Sequence, residues 1–127
     1  MRKLKSFALL TAMALAVTAC SSSKQDVEQA PEQTLYSTGQ TYLQDGDYSQ
    51  AIRYLNAVSS RFPGSSYSEQ VQLNLIYAYY KTQDYSETLV TIDRFIQRFP
   101  NSSHLDYALY MAGLTNYALG DNFFQDF

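Results

Sequence analysis

Cys20 and His104 are each the only residue of their kind, so a chain of 127 residues with one thiol and one imidazole has few routes to covalent or acid–base chemistry. His104 closes the loop phrase Pro100-Asn101-Ser102-Ser103-His104, and its spacing to any carboxylate matches neither a metal-ligand pattern nor a catalytic triad. Asp47, Asp84 and Asp121 recur at a spacing of 37 residues. No acid–base pair needs such a spacing, but a series of helix caps in a repeat protein does. No Gly-rich phosphate loop, clustered ligand set or nucleophile motif is found. The residues argue against an enzyme and imply no metal and no cofactor.

Cys20 has a different chemistry open to it. The opening MRKLKSFALLTAMALAVTAC has a basic head at Arg2, Lys3 and Lys5, an apolar run from Phe7 to Val17, and small residues before the thiol. The run is too short to span a bilayer and reads as an export signal over residues 1–19. Val17-Thr18-Ala19-Cys20 resembles the lipobox of bacterial lipoproteins, in which the cysteine becomes the acylated N-terminus. The alternative is an ordinary signal peptide with an incidental cysteine. Each buried methylene contributes roughly 0.8 kcal/mol, so one acyl chain holds marginally and two or more anchor stably. With Ser21 after the cysteine, the resemblance implies sorting to the outer membrane and attachment on its periplasmic face. Removing the signal takes the net charge from −3 to −6, which argues against nucleic acid as a partner.

Residues 20–31 then read as the lipidated Cys20 and a flexible tether, because SSSKQDVEQAP is polar and has no period. Beyond it the chain repeats. RFPGSS at 61–66 returns as RFPNSS at 98–103, Tyr48-Ser49 as Tyr85-Ser86, Tyr42 as Tyr79, and Gly39 as Gly113 two periods later. Asp47 with Gln50, Asp84 with Glu87 and Ser66 with Glu69 have the spacing of capping boxes, and Ser103 with Asp106 is a weaker copy. Apolar residues follow at helical spacing, and Pro63 and Pro100 forbid continuation. The spacing predicts five helices at roughly 32–44, 48–60, 67–82, 85–98 and 105–119. The fold class is therefore all-α, a tetratricopeptide-type solenoid of helical hairpins over residues 32–127, with two complete repeats and the first helix of a third. Gly39, Tyr42, Ala51, Leu55 and Pro63 fill the pattern's small, aromatic and closing positions. In the second copy Ile76 and Thr88 replace the small residues. A third loop phrase is due near 135, so the expectation is a piece of a longer protein.

Stacked hairpins line a groove with their first helices. The repeat alignment turns Tyr36, Gln40, Leu43 and Gln44 inward from the first, Tyr77, Tyr80 and Lys81 from the second, and Tyr107, Tyr110, Leu114 and Tyr117 from the third. Six of the twelve tyrosines thus face the groove. Tyrosine suits peptide recognition because it offers apolar area with few rotors and a hydroxyl for the peptide backbone. Aromatic residues at helical spacing are ordinarily core, and that reading takes Tyr42 and Tyr79; for the groove tyrosines both readings stay open. Lys81 either meets a carboxylate such as a peptide C-terminus or is simply solvated. Arg53, Arg61, Arg94 and Arg98 read as surface or helix-end charges.

The runs YSEQVQLNLIYAYYK (67–81), IDRFIQRFP (92–100) and LDYALYMAGLTNYAL (105–119), behind a lipobox and LQDGDYSQAI, are more specific than the repeat pattern. Over the whole chain they resemble the BamD family, tetratricopeptide lipoproteins of the machinery that assembles β-barrels in the outer membrane of Gram-negative bacteria. The resemblance implies five repeats, a groove in the first ones for the C-terminal segment of unfolded outer-membrane proteins, later repeats that contact the periplasmic domain of BamA, and BamC lying partly along the groove. It also implies that this chain keeps the anchor and groove and lacks much of the surface for BamA. A generic periplasmic scaffold that recruits cell-wall enzymes is the alternative.

Overall fold

The computed structural model describes residues 27–125, with side chains described as far as Gly120. The export signal, Cys20 and most of the tether lie outside the described residues. Contacts divide the chain into Met1–Ala30 and Pro31–Phe127. The second unit holds five helices: α1 Glu32–Gln44, α2 Tyr48–Arg61, α3 Ser68–Lys81, α4 Tyr85–Arg98 and α5 Leu105–Gln125. Each packs on the next in sequence, and α3 also packs on both α1 and α5. This is an all-α solenoid of helix pairs of the tetratricopeptide kind. No helix among the described residues is long and apolar enough to cross a membrane.

The turn between paired helices is written in the backbone. At the end of α1 the Asp47 N–H donates to Tyr42 O at 2.9 Å and the Gly46 N–H to Leu43 O at 3.3 Å, the Schellman arrangement that satisfies the last carbonyls. Gly46 supplies the positive φ of 77° that this turn requires. Asp47 then starts the next helix, its Oδ1 accepting from the Gln50 N–H at 3.1 Å. One period later Asp84 N–H donates to Tyr79 O at 2.9 Å, and Asp84 Oδ1 accepts from the Glu87 N–H at 3.3 Å. Gln83 stands where Gly46 stood and carries a φ of 62°.

The serine loops cap differently from the sequence expectation. At α3 no side chain caps the helix, whose N-cap residue is Tyr67, and in both loops it is the preceding serine that accepts a backbone bond. Ser65 Oγ accepts from the Tyr67 N–H at 2.9 Å and Ser102 Oγ from the His104 N–H at 2.9 Å. A tight turn follows each of these serines, so the helix begins later, at Ser68 and Leu105, and the earlier hydroxyl is the one in reach. The same hydroxyls donate backward along the stack, Ser65 to Glu32 and Ser102 to Glu69 Oε1 at 2.5 Å. Glu69 therefore serves the next loop and not its own helix start. Arg98 joins this edge too, donating to the Pro63 carbonyl.

The core follows the helical period. Leu55 and Val58 of α2 and Ile92 and Phe95 of α4 are fully buried, whereas Ile52, Leu89, Ile96 and Phe99 are half-buried. Helix α3 buries six consecutive residues, Val71 to Ile76, as expected of a helix packed on several neighbours. Between α3, α4 and α5 the core consists of Leu73, Ile76, Ile92, Phe95, Ala108 and Met111. Gly39 is small for a reason: a Cβ there would lie 3.0 Å from Leu55 of α2. Ile76 and Thr88, which replace small residues in the second pair, are also fully buried. Tyr42 and Tyr79 bridge helices, Tyr42 stacking on Tyr54 with centroids 5.5 Å apart and Tyr79 Oη accepting from Asn56 Nδ2 at 2.7 Å.

One boundary departs from the sequence reading. Asp121 does not begin a new helix, because α5 runs through Gly120 to Gln125. Gly120 lacks the positive φ of Gly46. Without a proline behind it, a helical glycine costs only about 1 kcal/mol, and the helix continues.

Candidate functional site

Helix α3 packs on both α1 and α5, the first helices of the neighbouring hairpins, and tyrosines along them gather in three places. At the centre, Tyr77 of α3 stands 37% exposed. The ring of Tyr48, from the first turn of α2, meets it edge-on with centroids 5.8 Å apart and planes at 79°. Lys81 lies one turn beyond Tyr77, its Nζ 6.0 Å from the Tyr77 ring centre and 5.7 Å from that of Tyr48. Each such contact contributes about 0.5–1 kcal/mol at an exposed site, enough to bias where a flexible ammonium rests. Lys81 is thus oriented by two rings while still presenting its charge to solvent.

Two hydroxyls of this face, those of Tyr48 and Tyr107, hold their protons above the ordinary tyrosine range. The hydrogen bond with Tyr77 raises the pKa of the Tyr48 hydroxyl above its ordinary 10.0, with partial desolvation and the Tyr77 charge adding to it. Burial raises that of Tyr107, and the neighbouring Tyr77 adds to the effect. The centre of the face is an aromatic wall with the Lys81 ammonium beside it. Such a surface offers apolar area, hydroxyls and a positive point to an extended chain or its carboxylate.

Toward α1 the arrangement is more closed. Tyr36 stacks on Tyr67 with centroids 4.2 Å apart and planes 13° off parallel. Its hydroxyl accepts from Gln40 Nε2 at 2.7 Å. Leu43 is half-buried and Gln44 exposed. Toward α5, Tyr80, Tyr107 and Leu114 pack against the core formed by α3, α4 and α5, and Tyr80 also leans on Tyr85 at 5.8 Å. Tyr110 and Tyr117 continue the Tyr107 stripe and stand 62% and 75% exposed. The structure therefore sets Tyr77 beside Lys81 and, in a shared cleft, beside Tyr107, pairs Tyr36 with Gln40, and leaves Tyr110 and Tyr117 as exposed rings.

A cleft of about 260 Å³ opens between α3 and the start of α5, lined by Gln70, Leu73, Asn74, Tyr77, His104 and Tyr107. Sequence reasoning passed over Gln70, Asn74, Tyr48 and Tyr67. For the first two the signal was present: residues 70, 74, 77 and 81 follow one another at helical spacing, so the stripe that carries Tyr77 and Lys81 also carries both amides. Tyr48 and Tyr67 reach the face from a helix start and a loop, which no period reveals. His104, read as a loop residue, is exposed and lines the cleft. Among the described residues no group of three or more His, Cys, Asp or Glu side chains is placed to hold a metal ion.

Comparison with known proteins agrees with this architecture. The chain is 72% identical over 126 residues to an outer membrane protein assembly factor BamD of Pasteurella multocida, covering 99% of this chain and 48% of the relative. It is 58% identical to the factor of the same name from Haemophilus influenzae, over 100% of this chain and 48% of the relative. With that of Vibrio cholerae it shares 46% identity, over 84% of this chain and 44% of the relative. The chain spans about half the length of the curated relatives it matches. The family model YfiO, described as outer membrane lipoprotein, matches residues 28–126, a stretch that includes all five helices α1 to α5. The chain belongs to the YfiO family of outer membrane lipoproteins.

Proposed function

We propose that this chain acts as a non-catalytic adaptor in β-barrel assembly at the outer membrane, holding extended segments of unfolded outer-membrane proteins against the face shared by α1, α3 and α5. The observation that carries the reading is the Tyr48–Tyr77–Lys81 arrangement, exposed Tyr77 and half-buried Tyr48 with an ammonium held over them. A strand of a barrel protein alternates its side chains, so one edge of it can address the rings while its backbone meets their hydroxyls. The relatives' name, outer membrane protein assembly factor, supports the same reading.

In this proposal residues 1–19 are a lipoprotein signal, Cys20 carries the acyl chains, and residues 20–31 tether the stack to the periplasmic face of the outer membrane. Two complete tetratricopeptide repeats and the first helix of a third form the binding unit. BamA, through its periplasmic domain, and BamC are the expected protein partners, with the contact to BamA resting mainly on later repeats. The groove site comprises Tyr36, Gln40, Leu43, Gln44, Tyr77, Tyr80, Lys81, Tyr107, Tyr110, Leu114 and Tyr117.

Fluorescence anisotropy with a labelled peptide from the C-terminal strand of a barrel protein tests this. The Tyr77→Ala, Tyr110→Ala double variant binds at least tenfold more weakly while its helical circular dichroism is unchanged. Unaltered affinity removes the groove. A photo-crosslinker at position 110 captures barrel precursors in cells; capture of cell-wall enzymes instead supports the scaffold alternative.

A further inference from the structure

The cleft between α3 and α5 contains a polar group that the fold leaves unpaired. Asn74 is 8% exposed. Its Oδ1 accepts from Gln70 Nε2 at 2.9 Å, but its Nδ2 has no hydrogen-bond partner and almost no contact with solvent. A buried amide donor without an acceptor carries the cost of its lost hydration, so a ligand that supplies an acceptor recovers it. Whichever way the two amides are turned, Gln70 serves one end of Asn74 and the other end is left over.

The size and walls of the cleft narrow what can reach it. Its 260 Å³ is below the about 300–1,000 Å³ typical of small-molecule sites, and suits a single residue. Leu73, Tyr77 and Tyr107 provide apolar and ring surface, favourable for another ring. Asn74 Nδ2 has almost no contact with solvent although Asn74 lines the cleft, so its partner comes at the tip of a side chain and not from a backbone passing the mouth. Exposed Tyr77 and His104 stand at that mouth, where rotamer changes are fast, and can admit it. An aromatic ring with a polar tip answers each condition, and a phenol both donates and accepts, which satisfies either orientation of the amide.

We propose that this cleft is a specificity subsite for one tyrosine side chain, with Asn74 bonding its hydroxyl. The inference deepens the groove reading, since the groove supplies the extended chain that carries the tyrosine. It makes Asn74 the residue that separates tyrosine from phenylalanine in a client.

The test uses the full chain and two small probes, N-acetyl-tyrosinamide and N-acetyl-phenylalaninamide, followed by NMR of the Asn74 side-chain amide. The tyrosine probe shifts that resonance and binds about five- to tenfold more tightly than the phenylalanine probe, the range expected for one recovered hydrogen bond. Asn74→Leu brings the two probes within about twofold of each other while phenylalanine binding persists; if that variant fails to fold, the comparison of probes on the unaltered chain still decides. Equal affinities for the two probes, or a shift in the Tyr36 region without one at Asn74, overturn the subsite. Barrel-derived peptides differing only by Tyr to Phe separate the two readings. Tight, equal binding keeps the groove and removes the subsite, and probe discrimination without peptide binding does the reverse.

Discussion

The Ser102 hydroxyl donates to the Glu69 carboxylate at 2.5 Å across 33 residues of sequence, and Ser65 makes the same bond to Glu32 one period earlier. One hydroxyl therefore performs two tasks, receiving the His104 N–H at the start of α5 and tying that start to the first turn of α3. Ser102→Ala removes both and should destabilise the chain by about 1–2 kcal/mol, as the loss of a bond to a charged group and a helix-start acceptor implies. Ser103→Ala, the cap expected from sequence, should change stability by less than about 0.5 kcal/mol. Urea unfolding followed by circular dichroism, with unchanged m, distinguishes the two.

Gln83 holds a left-handed backbone that a side chain resists, whereas its counterpart Gly46 does not meet this penalty. Gln83→Gly is expected to stabilise by up to about 1 kcal/mol, and Gly46→Ala to destabilise by a similar amount. A rise in midpoint for the first and a fall for the second in parallel thermal melts would establish that the two turns share one geometry.

Two glycines two periods apart should respond oppositely to enlargement. A Cβ at Gly39 meets Leu55 at 3.0 Å, while nothing lies within 4 Å of one at Gly113. Gly39→Val should cost about 1–3 kcal/mol through overpacking. Gly113→Ala should add about 0.5–1 kcal/mol of helix propensity. If both variants melt at the same temperature, the close approach of α1 and α2 is not what selects glycine at 39.

Tyr48 and Tyr107 ionise above 10.0, so the folded chain keeps their protons where the unfolded chain has lost them. Their contribution is fully present below pH 10 and is lost as pH rises through the raised folded-state values. Stability should thus fall with alkalinity from about pH 10 upward. Tyr77→Phe removes the hydroxyl that acts on both and should bring their titration down toward 10.0, with Tyr48 moving more because its hydrogen bond is the larger cause. Ultraviolet absorbance of tyrosinate against pH reads the change; an unmoved Tyr48 curve would mean the Tyr48–Tyr77 bond is absent in solution.

Much of the fold was legible because it is written twice. Asp47 and Asp84 cap in the structure as the 37-residue echo implied, and the five helices begin within a residue of where pattern placed them. What the echo could not reveal was which of two adjacent serines turns inward, since Ser65-Ser66 and Ser102-Ser103 are chemically alike and the choice rests on where each turn closes. The end of α5 was misread for a related reason: Gly120-Asp121 repeats the letters of Gly46-Asp47, but letters do not fix a positive φ. In the candidate site, Tyr77 and Lys81 were visible from their stripe. Asn74 was hidden on that same stripe because an amide in a helix carries no signature until its partners can be counted.

The bonds Ser65–Glu32, Ser102–Glu69 and Arg98–Pro63 all lie along the loop edge of the stack. The opposite edge is made of turns whose backbone bonds close within each hairpin, at Asp45 to Asp47 and Thr82 to Asp84. Between hairpins the loop edge is tied by these hydrogen bonds, and the turn edge is tied by Tyr48 of α2 meeting Tyr77 and Lys81 of α3. The first two hairpins are thus clasped at both edges, hydroxyl to carboxylate on one and ring to ring on the other.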